Sequence, residues 1–316
     1  MGQVRGRFAP SPSGEMHLGN AWTALLAWLA VRHDNGVIIL RIEDLDPDRS
    51  RPEYSEQIMA DLLWLGLDWD EGPGRGGACG PYYQDERRTL YQQAIDRLAA
   101  RDLLYPCFCS RAQLQAATAP HAGEREWRCP GRCRRLSPAE RRQRLEQGRQ
   151  PQLRLCVPDR DIAVTDLIQG RYSQNLQRDA GDFVVRRSDG VHAYQLAVVV
   201  DDALMGVNQV VRGADLLPST PRQLYLYELL ELPPPRFAHP PLLCGGDGRR
   251  LSKRQQDLSL AALRKRGVTP QSIIGYLAWK SGLMAVNEPV DAAELVAAFD
   301  FSRIGKEPVL LTAGEL

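Results

Sequence analysis

The chain predicts an α/β fold on a doubly wound parallel sheet, and three observations carry that prediction. Residues 4–9 and 37–42 are short apolar runs of the kind that form buried strands. Between them, residues 21–33 form an almost unbroken apolar helix, stopped by Asp34-Asn35-Gly36. Strand, helix and strand in that order make a right-handed βαβ unit. Farther along, strand-like segments recur at 183–185 and 209–212, around the apolar stretch 194–200. The sheet therefore resumes after a long interruption.

The passage from the first strand into the first helix is the most informative element. It reads Arg7-Phe8-Ala9-Pro10-Ser11-Pro12-Ser13-Gly14-Glu15-Met16-His17-Leu18-Gly19-Asn20. Pro10 and Pro12 hold it extended, because each disfavours helical geometry in the residue before it. The first-turn N–H groups of a helix lack internal partners, and the helix dipole favours negative charge there. Gly19 would let a phosphate approach the backbone, and His17 and Asn20 would add side-chain hydrogen bonds to a polyphosphate. Glu43 stands at the carboxyl end of the second strand, where open α/β sheets keep their ligands.

Helical patterns follow at 52–65 and 85–101, separated by a Gly-rich stretch, 72–80, that reads as a mobile loop. From residue 107 to about 181 the apolar periodicity weakens, which marks an insertion between the two halves of the sheet. After the sheet resumes, 220–232 reads as a helix with Ser219 as its cap. Beyond Pro233-Pro234-Pro235 come the segment 242–253 and helical patterns at 259–263, 271–280 and 292–299. The expected division is 1–106 and 182–241 for the two halves of the catalytic sheet, 107–181 for the insertion, and 242–316 for a basic loop and small helical region.

Forty Lys and Arg against 39 Asp and Glu give a net charge of +1, which excludes nucleic-acid binding by bulk electrostatics. Charge is nevertheless uneven: residues 125–149 hold nine Arg against three Glu, a local net of +6. Such a run is either a solvated helix face or a surface that meets RNA phosphates. No apolar run is long enough to cross a bilayer, and no charged-then-apolar leader opens the sequence, so a cytoplasmic protein without membrane contact is expected.

Seven Cys without a leader argue against a disulfide framework. Four of them form two close pairs, Cys107-x-Cys109 and Cys129-x₃-Cys133. Thiolates at such spacing can converge on a tetrahedral Zn²⁺, and four Cys ligands would leave no open position, so the zinc would be structural. Cys79, Cys156 and Cys244 read as ordinary small residues. A second phosphate-handling element is Gly248-Arg249-Arg250-Leu251-Ser252-Lys253-Arg254, where clustered cations on a Gly-containing loop can close over a triphosphate. Taken alone, such a loop is as readily a solvated basic turn.

Together these strings resemble the class I aminoacyl-tRNA synthetases. His17-Leu18-Gly19-Asn20 is similar to their HIGH motif, and Gly248–Arg254 to their KMSKS loop, with Arg250 where the family has Lys. Arg41-Ile42-Glu43-Asp44, Tyr194-Gln195-Leu196-Ala197 with Asp201-Asp202, Val211-Arg212-Gly213-Ala214-Asp215-Leu216 and Ser219-Thr220-Pro221-Arg222-Gln223 are similar to the glutamyl branch. The resemblance covers residues 4–260.

It implies a Rossmann-type catalytic sheet with a zinc-bearing insertion and a small helical C-terminal region. It also implies an ATP site of His17, Gly19, Asn20, Ser252 and Lys253, with His17 and Lys253 catalytic. A glutamate pocket would comprise Arg7, Phe8, Ala9, Pro10, Ser11, Glu43, Tyr194 and Arg212. There the two guanidinium groups would pair with the substrate side-chain carboxylate, Glu43 with the α-ammonium, and Tyr194 would donate a hydrogen bond. An ion pair with Asp215 is the plain alternative for Arg212, and a core aromatic for Tyr194. His192 and His239 read as structural. Mg²⁺ is expected with the ATP, without a protein ligand that the sequence identifies.

Only 62 residues follow Arg254, fewer than the helical anticodon-binding region of a glutamyl-tRNA synthetase would need. With the Cys-rich insertion, this is similar to the short glutamyl-Q tRNA(Asp) synthetases. Their metal motif is three Cys and a Tyr, and Cys129 stands here at the Tyr position. That resemblance implies a monomer that activates L-glutamate without tRNA and esterifies it to queuosine in the anticodon loop of tRNA(Asp). A truncated synthetase charging the tRNA 3′ end, or an idle tRNA-binding regulator, are the rival readings.

Overall fold

The computed structural model describes residues 2–110, 129, 131–245 and 258–311. The chain opens with β1 (Arg5–Phe8), α1 (Leu18–His33) and β2 (Val37–Leu40), the expected βαβ unit. Then come α2 (Pro52–Trp64) and α3 (Arg88–Ala99). The intervening part of the chain forms β3 (Leu104–Cys107), α4 (Pro138–Glu146), β4 (Gln152–Leu155), β5 (Asp161–Asp166), β6 (Gly170–Asn175) and β7 (Phe183–Arg186). After it, α5 (Tyr194–Leu204), β8 (Gln209–Val211), α6 (Thr220–Leu229) and β9 (Arg236–Ala238) complete the main sheet. The last described elements are β10 (Leu243–Cys244), α7 (Leu260–Lys265), α8 (Pro270–Ser281) and β11 (Val309–Leu310).

The main sheet is parallel throughout, in the order β2-β1-β8-β9. α1 is buried on almost every side from Ala21 to Val31, which explains its lack of a polar face. It packs so close to β1 that a Cβ on Gly6 would come within 2.3 Å of Val31 Cγ2. Strand order reverses between β1 and β8, because the first crossover leads to one side and the later chain returns on the other. Such a switch point opens a crevice outside the carboxyl ends of the strands. Among the described residues, no helix is long and apolar enough to cross a membrane.

Several expectations change. The segment 183–185 does not rejoin the parallel sheet. As part of β7 it pairs antiparallel with β4, in a separate sheet of order β3-β4-β7. Alternating burial marks a strand but cannot name its partner, and β7 alternates as a one-sided antiparallel strand does. The Gly-rich stretch after Trp69 is pinned rather than loose: Gly72 N–H bonds to Gly76 O at 2.9 Å, and Arg87 holds Cys79 O at 3.1 Å. Ser219 does not cap α6, because a 3₁₀ turn, Ala214–Ser219, runs straight into that helix. The Ser219 hydroxyl instead accepts from Gln195 Nε2 at 3.0 Å. Ala292–Ala298 is 3₁₀ rather than α. In the basic run, α4 has no buried residue, but its arginines are not all given to solvent: Arg141 Nη2 donates to Arg134 O at 3.3 Å and Arg144 lies 5.7 Å from the centre of the Phe108 ring, leaving Arg142 exposed.

Candidate active site

A cavity of ≈ 420 Å³ occupies the crevice at the switch point. Arg7, Phe8, Ala9, Pro10 and Ser11 line it together with His17, Gly19, Asn20, Glu43, Tyr194 and Arg212. Ser252 and Lys253 lie outside the described residues. On one side of that segment Leu243 lines the cavity; on the other, Ser259 pairs with His17 and Leu260 N–H bonds to Met16 O at 2.9 Å.

His17 is itself the cap of α1. Its Nδ1 accepts the Gly19 N–H at 3.0 Å, while Asn20 Oδ1 accepts the His17 N–H at 3.2 Å. Nδ1 therefore carries no proton, and a neutral ring holds its proton on Nε2. The sequence reading left the Gly19 N–H open for phosphate; here the ring takes it. A Cβ on Gly19 would come within 2.9 Å of His17 Cε1. The close approach that requires glycine is thus to the imidazole.

Beneath the cavity lies a buried charge network. Asp202 accepts from Arg41 Nη1 at 2.7 Å and from Arg7 Nε at 3.4 Å. Asp201 accepts from Arg87 Nε at 2.6 Å, and from Gln84 and the Tyr91 hydroxyl at 2.8 Å each. Burial opposes the charge on Asp202, but Arg41 and Arg7 outweigh it and hold the carboxyl below its usual range. Arg41 also reaches Glu43 Oε1 at 3.1 Å. Burial pushes the Glu43 carboxyl up, against the pull of Arg41 and Arg7. The Glu43 backbone N–H bonds to Pro10 O at 2.9 Å, which ties it to the turn after β1.

Arg212 follows β8 and is 4 % exposed. Its Nε donates to His239 Nε2 at 3.0 Å, Nη2 to the Thr220 hydroxyl at 2.9 Å, and Nη1 reaches the Tyr194 hydroxyl at 3.5 Å. No described carboxylate lies within salt-bridge distance, so the Asp215 pairing is not formed. Tyr194 is a pocket residue rather than a plain core aromatic. His239, given no role from sequence, is the residue that holds Arg212. His192 is buried with both ring nitrogens unpartnered and packs edge-on against Tyr91, 5.4 Å between centroids.

The four paired Cys come together in space. The sulfurs of Cys107, Cys109 and Cys133 lie within 4.8 Å of one another. Cys129 Sγ is 3.6 Å from Cys107 Sγ, and Cys109 Sγ is 3.7 Å from Cys133 Sγ. Tetrahedral Zn–S bonds of about 2.3 Å place sulfurs about 3.8 Å apart. Cys107, Cys109 and Cys133 form the mutually close group, and Cys129, in contact with Cys107 but outside that group, is the candidate fourth ligand. Cys107, Cys129 and Cys133 are buried, and Cys133 Sγ also accepts the Phe108 N–H at 3.4 Å. The hydrogen bond from Cys129 holds the Cys107 thiol below its ordinary pKa, so one sulfur is poised as thiolate.

Residues 3–313 match the family described as tRNA synthetases class I (E and Q), catalytic domain. The chain belongs to that family. It is a class I, aminoacyl-tRNA synthetase-like ligase. It is 58% identical over 311 residues to a glutamyl-Q tRNA(Asp) synthetase of Symbiobacterium thermophilum, covering 98% of this chain and 96% of the relative. It is 41% identical to a glutamate–tRNA ligase of Coxiella burnetii, covering 99% of this chain and 68% of that one. A solved glutamate tRNA ligase from Elizabethkingia meningosepticum, in complex with its amino acid, superposes with a TM-score of 0.86 at 32% identity, covering 99% of this chain and 68% of that one.

For this synthetase the sequence left out most of what supports the pocket. Arg41, Asp201 and Asp202 had a signal: two acids interrupting an apolar helix must be paired if that helix is buried. Thr220 and His239 had none, since nothing in their spacing relates them to Arg212. Asp166, which meets His239 across 73 residues, was equally invisible.

Proposed function

We propose that this ligase activates L-glutamate with ATP, without tRNA, and transfers it to the queuosine at position 34 of tRNA(Asp). The observation that carries the amino-acid assignment is the pair of buried guanidinium groups, Arg7 and Arg212, in one cavity with the buried Glu43 carboxylate, Arg212 having no carboxylate partner among the described residues. Two cations suit the substrate side-chain carboxylate, and Glu43 suits its ammonium. Identity of 58% to a glutamyl-Q enzyme, against 41% to a glutamate–tRNA ligase, supports the acceptor.

ATP enters as its Mg²⁺ complex. The substrate α-carboxylate, already ionised, attacks the α-phosphorus in line. A C–O–P bond forms, the Pα–O–Pβ bond breaks, and pyrophosphate leaves with the electron pair. No general base is needed. His17 and Lys253 would stabilise charge on the phosphates. A queuosine hydroxyl then attacks the acyl carbon and AMP departs. Cys107, Cys109, Cys129 and Cys133 would hold one Zn²⁺, whose part is to cross-link β3 to the chain around Cys133 and not to enter a step.

The test is glutamate-dependent ATP–pyrophosphate exchange without RNA, followed by transfer of labelled glutamate to tRNA(Asp) with and without queuosine. Exchange without RNA and labelling only of queuosine-containing tRNA are expected. Exchange that requires tRNA, or equal labelling of both tRNAs, favours a 3′-end synthetase instead. For the metal, about one zinc per chain is expected, and Cys109→Ser should lower the thermal midpoint more than the specific activity of the folded fraction. Full zinc retention in a Cys107→Ser/Cys129→Ser double variant refutes the ligand set.

A further inference from the structure

We infer that the buried Asp166–His239 pair is a positioning device for Arg212, through which the β5–β6 hairpin sets how tightly the pocket holds its substrate carboxylate. This rests on the reading of the cavity as a glutamate pocket. The contacts form a chain. Arg212 Nε–H donates to His239 Nε2 at 3.0 Å, so that nitrogen is an acceptor and the ring proton sits on Nδ1. Nδ1 meets Asp166 Oδ2 at 2.6 Å, with both side chains fully buried. Burial pushes the His239 pKa down, so the ring stays neutral and able to accept.

The hairpin grips this histidine at several points. Asp166 Oδ1 accepts the His239 N–H at 3.1 Å, Gln169 Nε2 donates to His239 O at 2.8 Å, and Leu167 N–H bonds to Phe237 O at 2.9 Å. The Phe237 ring in turn lies 5.2 Å from the Arg212 guanidinium carbon. With Nε on His239 and Nη2 on Thr220, the fork is fixed in plane. One N–H on each terminal nitrogen is left for a carboxylate, the arrangement that bidentate recognition needs. Interposing the ring also matters electrostatically. An aspartate directly on Arg212 would neutralise the charge that the substrate needs, whereas a neutral imidazole orients the arginine and leaves its charge available.

The pair is therefore a positioning element, and the experiment separates that from packing alone. His239→Leu and His239→Gln are compared with wild type in glutamate-dependent pyrophosphate exchange, alongside thermal midpoints. The glutamine can still accept from Arg212 and donate to Asp166. The expected result is a rise of about tenfold in the KM for glutamate with leucine, the KM for ATP staying within about twofold, and recovery to within about threefold of wild type with glutamine. Equal changes in both KM values, an unmoved glutamate KM, or a glutamine variant as defective as leucine overturns the inference. Should the leucine variant not fold, Asp166→Asn decides: a glutamate KM raised severalfold at unchanged ATP KM supports the device, and no rise refutes it. Wild-type protein without glutamate-dependent exchange both in the absence and in the presence of tRNA would refute the pocket assignment itself, whereas active wild type with indifferent variants refutes only the positioning role.

Discussion

Replacing Asp202 by alanine will destabilise the fold by about 3–5 kcal/mol, a large share of the roughly 5–15 kcal/mol that holds a domain together. Asp202 is the shared partner of Arg7 and Arg41, and all three are buried. Removing it leaves two guanidinium groups out of water, with Arg41 turning to Asp201 and Glu43 alone. Such unpaired buried charge is the costly part, more than the lost attraction. Urea unfolding followed by circular dichroism measures it, and a loss below about 1 kcal/mol would show that water or rearrangement compensates. The pH dependence has a definite sign. The folded-state pKa of Asp202 is depressed, so its contribution is present above the ordinary carboxylate pKa and lost as pH falls through the folded value. The variant should therefore show a flatter acid limb of stability than wild type.

Arg212→Ala is expected to raise the KM for glutamate by about 10²-fold while changing that for ATP by no more than a few-fold. Two charge-assisted hydrogen bonds at about 1.5 kcal/mol each account for that factor. Tyr194 and Thr220 remain in place to keep the cavity, since neither depends on Arg212 for its backbone position. Lys253→Ala should do the opposite kind of damage, lowering kcat by about 10²-fold, as loss of one electrostatic stabiliser of the transition state does. Steady-state exchange kinetics on both variants decide the matter. The same defect in both would mean that the amino-acid and phosphate subsites are not divided between these residues.

Many of the residues that line the cavity were legible because they sit in local patterns. A strand running through Arg7 into a proline turn, a His at a helix cap, an acid after the second strand and an arginine after a later one are each readable within a dozen residues. The charges behind them were not. Asp201 and Asp202 announced only that something must pair with them, and their partners are spread over three earlier elements. The reason for Gly19 was misread because the close neighbour is the His17 ring two residues earlier, a contact that exists only once the cap has formed.

By itself the sequence determined the βαβ start, the approximate span of the first helices, the cysteine pairs and the part of the crevice lining that runs from Arg7 to Glu43, all of which follow from local periodicity, turn chemistry and motif spacing. Tertiary structure alone decided which strands pair, and it placed β7 beside β4 rather than in the parallel sheet. It also decided that an aspartate at the end of β5 and a histidine after β9 would meet behind Arg212. Strand partners and buried polar chains are settled by which surfaces meet when the whole core closes, and hydrogen-bonding capacity written in one segment does not say which distant segment will satisfy it.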